Sequence, residues 1–191
     1  MDGNDWDQKY GEHEQFWSGR PNPALTAEVE DLTPGRALDV GCGEGADAIW
    51  LATRGWSVTG LDVSGLALAR AAQAAEAQHL AITWVRSSIA DYSSPEAHDL
   101  VSLLYPALPV QVPVESVLHC VAPGGTLLVV GHAHVSRGHG HAHEEFLEVG
   151  QIADQLGEDW IIDAYEQRPR IDPPKGAEHV LDVVLRARRA N

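Results

Sequence analysis

The stretch "ALDVGCGEGAD", residues 37 to 47, constrains this chain more than any other. A short apolar run carries Asp39 near its end, and Gly41, Gly43 and Gly45 then alternate with Cys42 and Glu44. A glycine inside ordered structure costs about 0.5–1 kcal/mol relative to alanine. Three of them in five positions call for a sharp turn, a ligand held close to the backbone, or both. The pattern describes a buried strand handing over to a helix across a glycine loop.

The rest of the chain repeats that alternation. "NPALTAEVEDL" reads as a helix, with Asn22 as cap and Pro23 at the first helical position. "GRALDVG" is the first strand, and "ADAIWLATRG" is a helix stopped at Gly55. "WSVTGLDV" is the second strand, and "SGLALARAAQAAEAQ" a helix capped by Ser64. "AITWVRSSIADY" and "HDLVSLLYP" supply strands three and four, "VPVESVLHCV" a helix ended by "APGG", and "GTLLVVGH" strand five. A helix is expected around "EEFLEVGQIADQLG", and two strands, "DWIIDAYEQR" and "EHVLDVVLRARR", close the chain. The opening "WDQKYGEHEQFWSGRPNP" has no clear period. The expected fold is α/β, a doubly wound, mostly parallel seven-stranded sheet. The linker between the last two strands is too short for a helical crossover, so the last strand is expected antiparallel. Trp50, Trp56, Trp84 and Trp160 are read as core.

With 191 residues, one domain spanning 1–191 is expected. Its parts are an N-terminal flap and helix (1–33), a ligand-binding core (34–131), and a histidine-rich loop with C-terminal strands (132–191). No apolar run approaches the ~18 residues of a membrane span, and the acidic start lacks the marks of a signal peptide. Two cysteines, Cys42 and Cys120, make no disulfide framework, so a cytoplasmic location is expected. The formal net charge of −15 disfavours nucleic acid, whose binding rests on neutralising phosphates. The one basic cluster, Arg186, Arg188 and Arg189, comes at the end.

In such sheets ligands bind outside the carboxyl ends of the strands. The glycine loop lies at one of those ends, and the helix after it points free N–H groups at the loop. Asp62 ends the second strand, where a carboxylate can accept hydrogen bonds from both hydroxyls of a ribose. The spacing G-x-G-x-G differs from the G-x-G-x-x-G of dinucleotide sites. Asp39 would sit badly against a pyrophosphate and suits a ligand with an amino group or a sulfonium.

"ALDVGCGEGADAIWLATRGWSVTGLDVS" resembles the cofactor-binding half of class I S-adenosylmethionine-dependent methyltransferases. "WSGRPNP", "VAPGGTLLVVGH" and "LDVVLRARR" extend the resemblance to small bacterial enzymes related to tellurite-resistance and thiopurine methyltransferases. The resemblance implies S-adenosylmethionine as cofactor and S-adenosylhomocysteine as product. It implies that Gly41, Cys42 and Gly43 wrap the methionine part and that Asp39 helps hold its amino group. Asp62 would take the ribose, Val63 would lie against the adenine, Ile89 would offer its backbone to that ring, and Leu104 would line the floor. Tyr10, Trp17 and Arg20 would form a flap. Many relatives carry an acidic residue just before the position of Ile89, where this chain has Ser88. A neutral hydroxyl accepts more weakly than a carboxylate.

Methyl transfer from an activated sulfonium needs positioning above all, and no catalytic triad stands out. Tyr105 and His132 are the catalytic candidates, placed to orient or deprotonate an acceptor. "LLYPALP" stands where methylases of adenine bases carry "NPPY". The expected partner is a small-molecule acceptor, with neither nucleic acid nor membrane, for a monomer or homodimer. The stretch "GHAHVSRGHGHAHE" matches no closed zinc motif; no metal site is expected, and His139, His141 and His143 are the candidate ligands if one exists. Cys42 reads as a small filler beside the ligand. Two alternatives stand beside the enzyme: a non-catalytic cofactor- or metal-binding protein on the same fold, and a nicotinamide-dependent oxidoreductase.

Overall fold

The computed structural model describes residues 2–133, 146–173 and 180–191. Seven strands form one sheet: β1 (Arg36–Val40), β2 (Ser57–Asp62), β3 (Thr83–Arg86), β4 (His98–Leu104), β5 (Val121–His132), β6 (Trp160–Pro169) and β7 (Leu181–Arg189). Their order is β3-β2-β1-β4-β5-β7-β6. The first five run parallel, and β7 is antiparallel to both β5 and β6. The expected architecture is therefore present, including the reversed last strand.

Among the described residues six helices accompany the strands: α1 (Gly3–Gly11), α2 (Pro23–Glu28), α3 (Ala46–Thr53), α4 (Gly65–Glu76), α5 (Glu115–Leu118) and α6 (Val149–Ala153). The central strands are apolar at nearly every position because both faces of the sheet are covered. Their two-residue period sorts neighbours onto opposite faces. Leu38, Leu127, Val129 and Leu185 join one core with Val117 and Ile152 of α5 and α6. Ala37, Leu128, Val130 and Val184 join the other with Leu25, Ala48 and Leu51 of α2 and α3. Trp56 is buried, whereas Trp50, Trp84 and Trp160 are only half-buried against these cores.

Several local expectations are corrected. The opening segment is not irregular: α1 is nucleated by a capping box in which Asp2 accepts from the Asn4 and Asp5 N–H groups and Asp5 accepts from the Asp2 N–H. Asp7 then docks α1 on the sheet edge, accepting from Ser64 Oγ at 2.6 Å, the Leu66 N–H at 3.0 Å and Arg86 at 3.2 Å. The helix expected over "VPVESVLHCV" is a single turn, because Val121 pairs with His98 and already begins β5. "APGG" therefore lies inside that strand. Among the described residues of "EEFLEVGQIADQLG" the expected helix is α6 alone, and Phe146 instead bridges to Pro109. Asn22 caps α2 and Ser64 caps α4 as expected.

Candidate functional site

From β1 the chain proceeds outward to β2 and β3 on one side and returns to β4 and β5 on the other. That reversal opens a crevice at the carboxyl ends of β1 and β4. A cleft of about 1930 Å³ occupies it. Gly41, Gly43 and Gly45 all have positive φ, between 52° and 82°, and carry the chain from β1 into α3. A Cβ at Gly41 would project into open space, whereas one at Gly43 would stand 2.8 Å from Tyr10 Oη and 3.3 Å from Trp17 Nε1. The loop thus has an open mouth and a covered side.

Asp62 closes β2 beside this loop. Its Oδ2 accepts the Gly43 N–H at 2.8 Å and its Oδ1 the Ser64 N–H at 2.8 Å. A carboxylate can accept about four hydrogen bonds, so each oxygen keeps capacity for a hydroxyl from the cleft. Burial pushes the Asp62 pKa up, against the pull of the Ser64, Gly43 and Val63 N–H groups.

Every cofactor candidate but one lines the cleft: Tyr10, Trp17, Arg20, Gly41, Cys42, Gly43, Asp62, Val63, Ser88, Ile89 and Leu104. The exception is Asp39. It lies beneath the loop, where Oδ1 accepts from Ser102 Oγ at 3.0 Å and Oδ2 is buried with no hydrogen-bond partner. Burial first, and the nearby Asp47 charge second, push its pKa up. The sign follows: a carboxyl whose folded pKa is raised favours the fold below its ordinary value of 3.8 and loses that contribution as pH rises. Asp39→Asn is therefore expected to raise the thermal midpoint relative to wild type by an amount that grows between pH 5 and pH 9. A constant difference across that range counts against a buried charge at this position.

Tyr10 and Trp17 play different parts. Tyr10 is 3% exposed and anchors the segment, while Trp17 is 53% exposed and donates Nε1–H to Tyr10 Oη at 2.9 Å. Glu44, inside the glycine motif, accepts from the N–H groups of Phe16 and Trp17 and from Arg70 Nη1 at 2.8 Å. Arg70 Nη2 donates to the Tyr10 and His13 carbonyls. This clamp straps residues 10 to 17 over the loop, and sequence reasoning missed it. Ser88 donates its hydroxyl to Asp91 Oδ2 at 2.7 Å, and both residues line the cleft. Asp91 thus places a carboxylate beside Ser88 at the cleft. Cys42 is held as an inert thiol, because burial first and the Asp39 and Asp62 charges next push its pKa well up.

Tyr105 and His132 meet across the cleft's other half, their rings stacked at 4.4 Å. His139, His141 and His143 lie outside the described residues. Among the described residues no group of three or more His, Cys, Asp or Glu could hold a metal, and no helix is long and apolar enough to cross a membrane. Arg186, Arg188 and Arg189 make no bare basic patch, since they pair with Asp31, Asp163 and Asp159.

Residues 37–125 match the methyltransferase domain family. Among curated proteins, the 2-heptyl-1-hydroxyquinolin-4(1H)-one methyltransferase of Mycobacteroides abscessus is 33% identical over 125 residues, 60% of this chain. That match spans 54% of the relative, about half its length. Among solved structures, the N-methyltransferase NodS of Bradyrhizobium japonicum, in complex with S-adenosylhomocysteine, has a TM-score of 0.74 at 18% identity, covering 100% of both chains. TehB of Haemophilus influenzae has a TM-score of 0.68 at 15% identity, covering 98% of this chain and 66% of that one.

Proposed function

We propose that this chain, whose residues 37–125 match the methyltransferase domain family and whose fold is that of class I methyltransferases, moves a methyl group from S-adenosylmethionine to a small-molecule acceptor. The observation that carries the reading is the glycine turn with Asp62 beside it. Each Asp62 oxygen holds one backbone N–H and has room for one hydroxyl of a ribose. The open space at Gly41 admits a methionine tail, and Val63 and Ile89 offer apolar contact to an adenine ring. Ser88 donates its hydroxyl to Asp91 Oδ2 and accepts the Asp91 N–H, and the Asp91 carboxylate is the acceptor for an exocyclic amino group.

When bound, the cofactor supplies an electrophilic methyl carbon. The chain's task is to aim the acceptor and exclude water. The strapped segment around Trp17 covers one side, and residues 105–109 after β4 with residues 146–148 before α6 form the acceptor wall. The pairing of the C-terminal arginines with carboxylates, together with the acidic net charge of −15, favours a small molecule over nucleic acid. Hydroxylated aromatic compounds such as the quinolone in the name of the M. abscessus relative are the acceptors to screen first.

Calorimetric titration with S-adenosylhomocysteine tests the reading. Micromolar binding, about −8 kcal/mol, is expected, with no comparable binding of NADH. Folded protein that ignores S-adenosylhomocysteine at millimolar concentration overturns it.

A further inference from the structure

Three arginines line the cleft: Arg20, Arg86 and Arg170. Arg20 pairs with Asp172 at 3.4 Å and Arg86 with Asp7 at 3.2 Å. Arg170 stands at the acceptor end, away from Asp62. Among the described residues no carboxylate lies within ion-pair distance of it, and its guanidinium lies instead 4.9 Å over the Tyr105 ring. Arg168, two residues earlier, is bound by Glu28 and Glu166. Arg170 is half-buried. A guanidinium presents five N–H donors and accepts nothing, so withdrawing it from water without an anionic or carbonyl oxygen is costly.

The position of that guanidinium is held by the fold. The Arg170 N–H donates to the Val180 carbonyl at 2.9 Å, where β6 runs out against β7. The Tyr105 ring is fixed at both ends: its N–H donates to the Val130 carbonyl at 2.7 Å, and its hydroxyl donates to Asp182 Oδ1 at 2.9 Å. Burial, then the Asp182 charge, push the Tyr105 hydroxyl far up, so the ring stays a neutral face for a cation. Asp182 is 3% exposed; burial raises its pKa, while the Tyr105 hydroxyl and the Arg170 and Arg168 charges lower it. It acts on Arg170 through space, with no hydrogen bond between them. The other carboxylates at this end are engaged: Glu166 with Arg168, Asp172 with Arg20, and Glu148 in the capping box of α6. Leu108, Phe146, Leu147 and Ile171 add apolar surface to the same end of the cleft.

We propose that Arg170 determines acceptor specificity: the acceptor carries a carboxylate on an apolar body, the guanidinium holds the carboxylate, and Leu108, Phe146, Leu147 and Ile171 take the body. The inference rests on the methyl-transfer reading and names the class of its acceptor. A guanidinium meets a carboxylate with two parallel N–H···O bonds, and stacking on a ring fixes its plane beforehand. Arg170 is always charged and exchanges no proton, so its contribution lies in holding the acceptor.

The test uses the full chain saturated with S-adenosylhomocysteine and three probes of matched shape: 2-naphthoate, the neutral 2-naphthamide and the cationic 2-naphthylmethylammonium. Titration calorimetry at pH 7.5 is expected to show naphthoate bound at least about tenfold more tightly than naphthamide, the scale of a charge-assisted hydrogen bond, with the cation weakest. Arg170→Gln is expected to erase that preference. Arg170→Lys should keep part of it, because an ammonium keeps the charge and loses the fork. Unchanged S-adenosylhomocysteine affinity in both variants certifies folded protein. A wild type that binds S-adenosylhomocysteine but does not prefer naphthoate, or takes up none of the three probes at millimolar concentration, overturns this inference and leaves the methyl-transfer reading intact. So does a naphthoate preference that survives in Arg170→Gln. Failure of wild type to bind S-adenosylhomocysteine overturns both.

Discussion

Asp62→Ala is expected to weaken S-adenosylhomocysteine binding by at least a hundredfold, to the edge of detection. Two hydrogen bonds from a ribose to a carboxylate contribute about 1.5–3 kcal/mol each, and every 1.4 kcal/mol is about tenfold. The substitution also strips the Gly43 and Ser64 N–H groups of their shared acceptor, so the glycine turn loses one of its supports. Asp62→Asn separates the two effects. It keeps an oxygen for one N–H, and an intermediate loss is expected. Because burial pushes the Asp62 pKa up, binding that requires the carboxylate weakens as pH falls toward that raised value. Titration calorimetry of both variants across pH reads all of this. An Asp62→Ala protein that binds like wild type removes the residue from the site.

The second large effect concerns stability. Glu44→Ala is expected to destabilise the fold by about 2–4 kcal/mol, in the range for breaking a largely buried ion pair. The Glu44 side chain is 10% exposed, and its removal leaves Arg70 Nη1 and the Phe16 and Trp17 N–H groups without their acceptor. For a chain of this size that is about 5–12 °C in thermal midpoint. Protease cleavage is expected to start between residues 10 and 20, because the strap is released before the sheet opens. The pH dependence has a definite sign. Burial raises the Glu44 pKa, but the Trp17, Arg70 and Phe16 donors outweigh burial and hold it below its ordinary 4.5. Its contribution is therefore present above 4.5 and lost as pH falls through the lowered value. Thermal melts of wild type and Glu44→Ala that converge in acid support this account; melts that coincide at neutral pH refute it.

The glycine turn, Asp62 and most strands were legible in the chain because their signals are short-range. Alternating apolar residues, a cap at Asn22 or Ser64, and glycines after a buried strand each declare themselves within a few residues. The misread elements are those where partners far along the chain overrode local cues. Pro123 and Gly124 look like a turn, yet the pairing of Val121 with His98 draws them into β5. The first helix carried its signal in Asp2 and Asp5, an acidic version of the capping box that a search for serine or threonine passes over.

The sequence by itself determined where strands hand over to helices and which carboxylate stands beside the glycine loop, since those depend on neighbours in the chain. Only the tertiary structure decided that Asp39 turns under the loop instead of into the cleft, and that Glu44 finds Arg70 across 26 residues. It alone brought Asp182 to Tyr105 across 77 residues, beside His132. Strand order and register set those meetings, and a one-residue slip of β7 against β5 would point Asp182 to the opposite face.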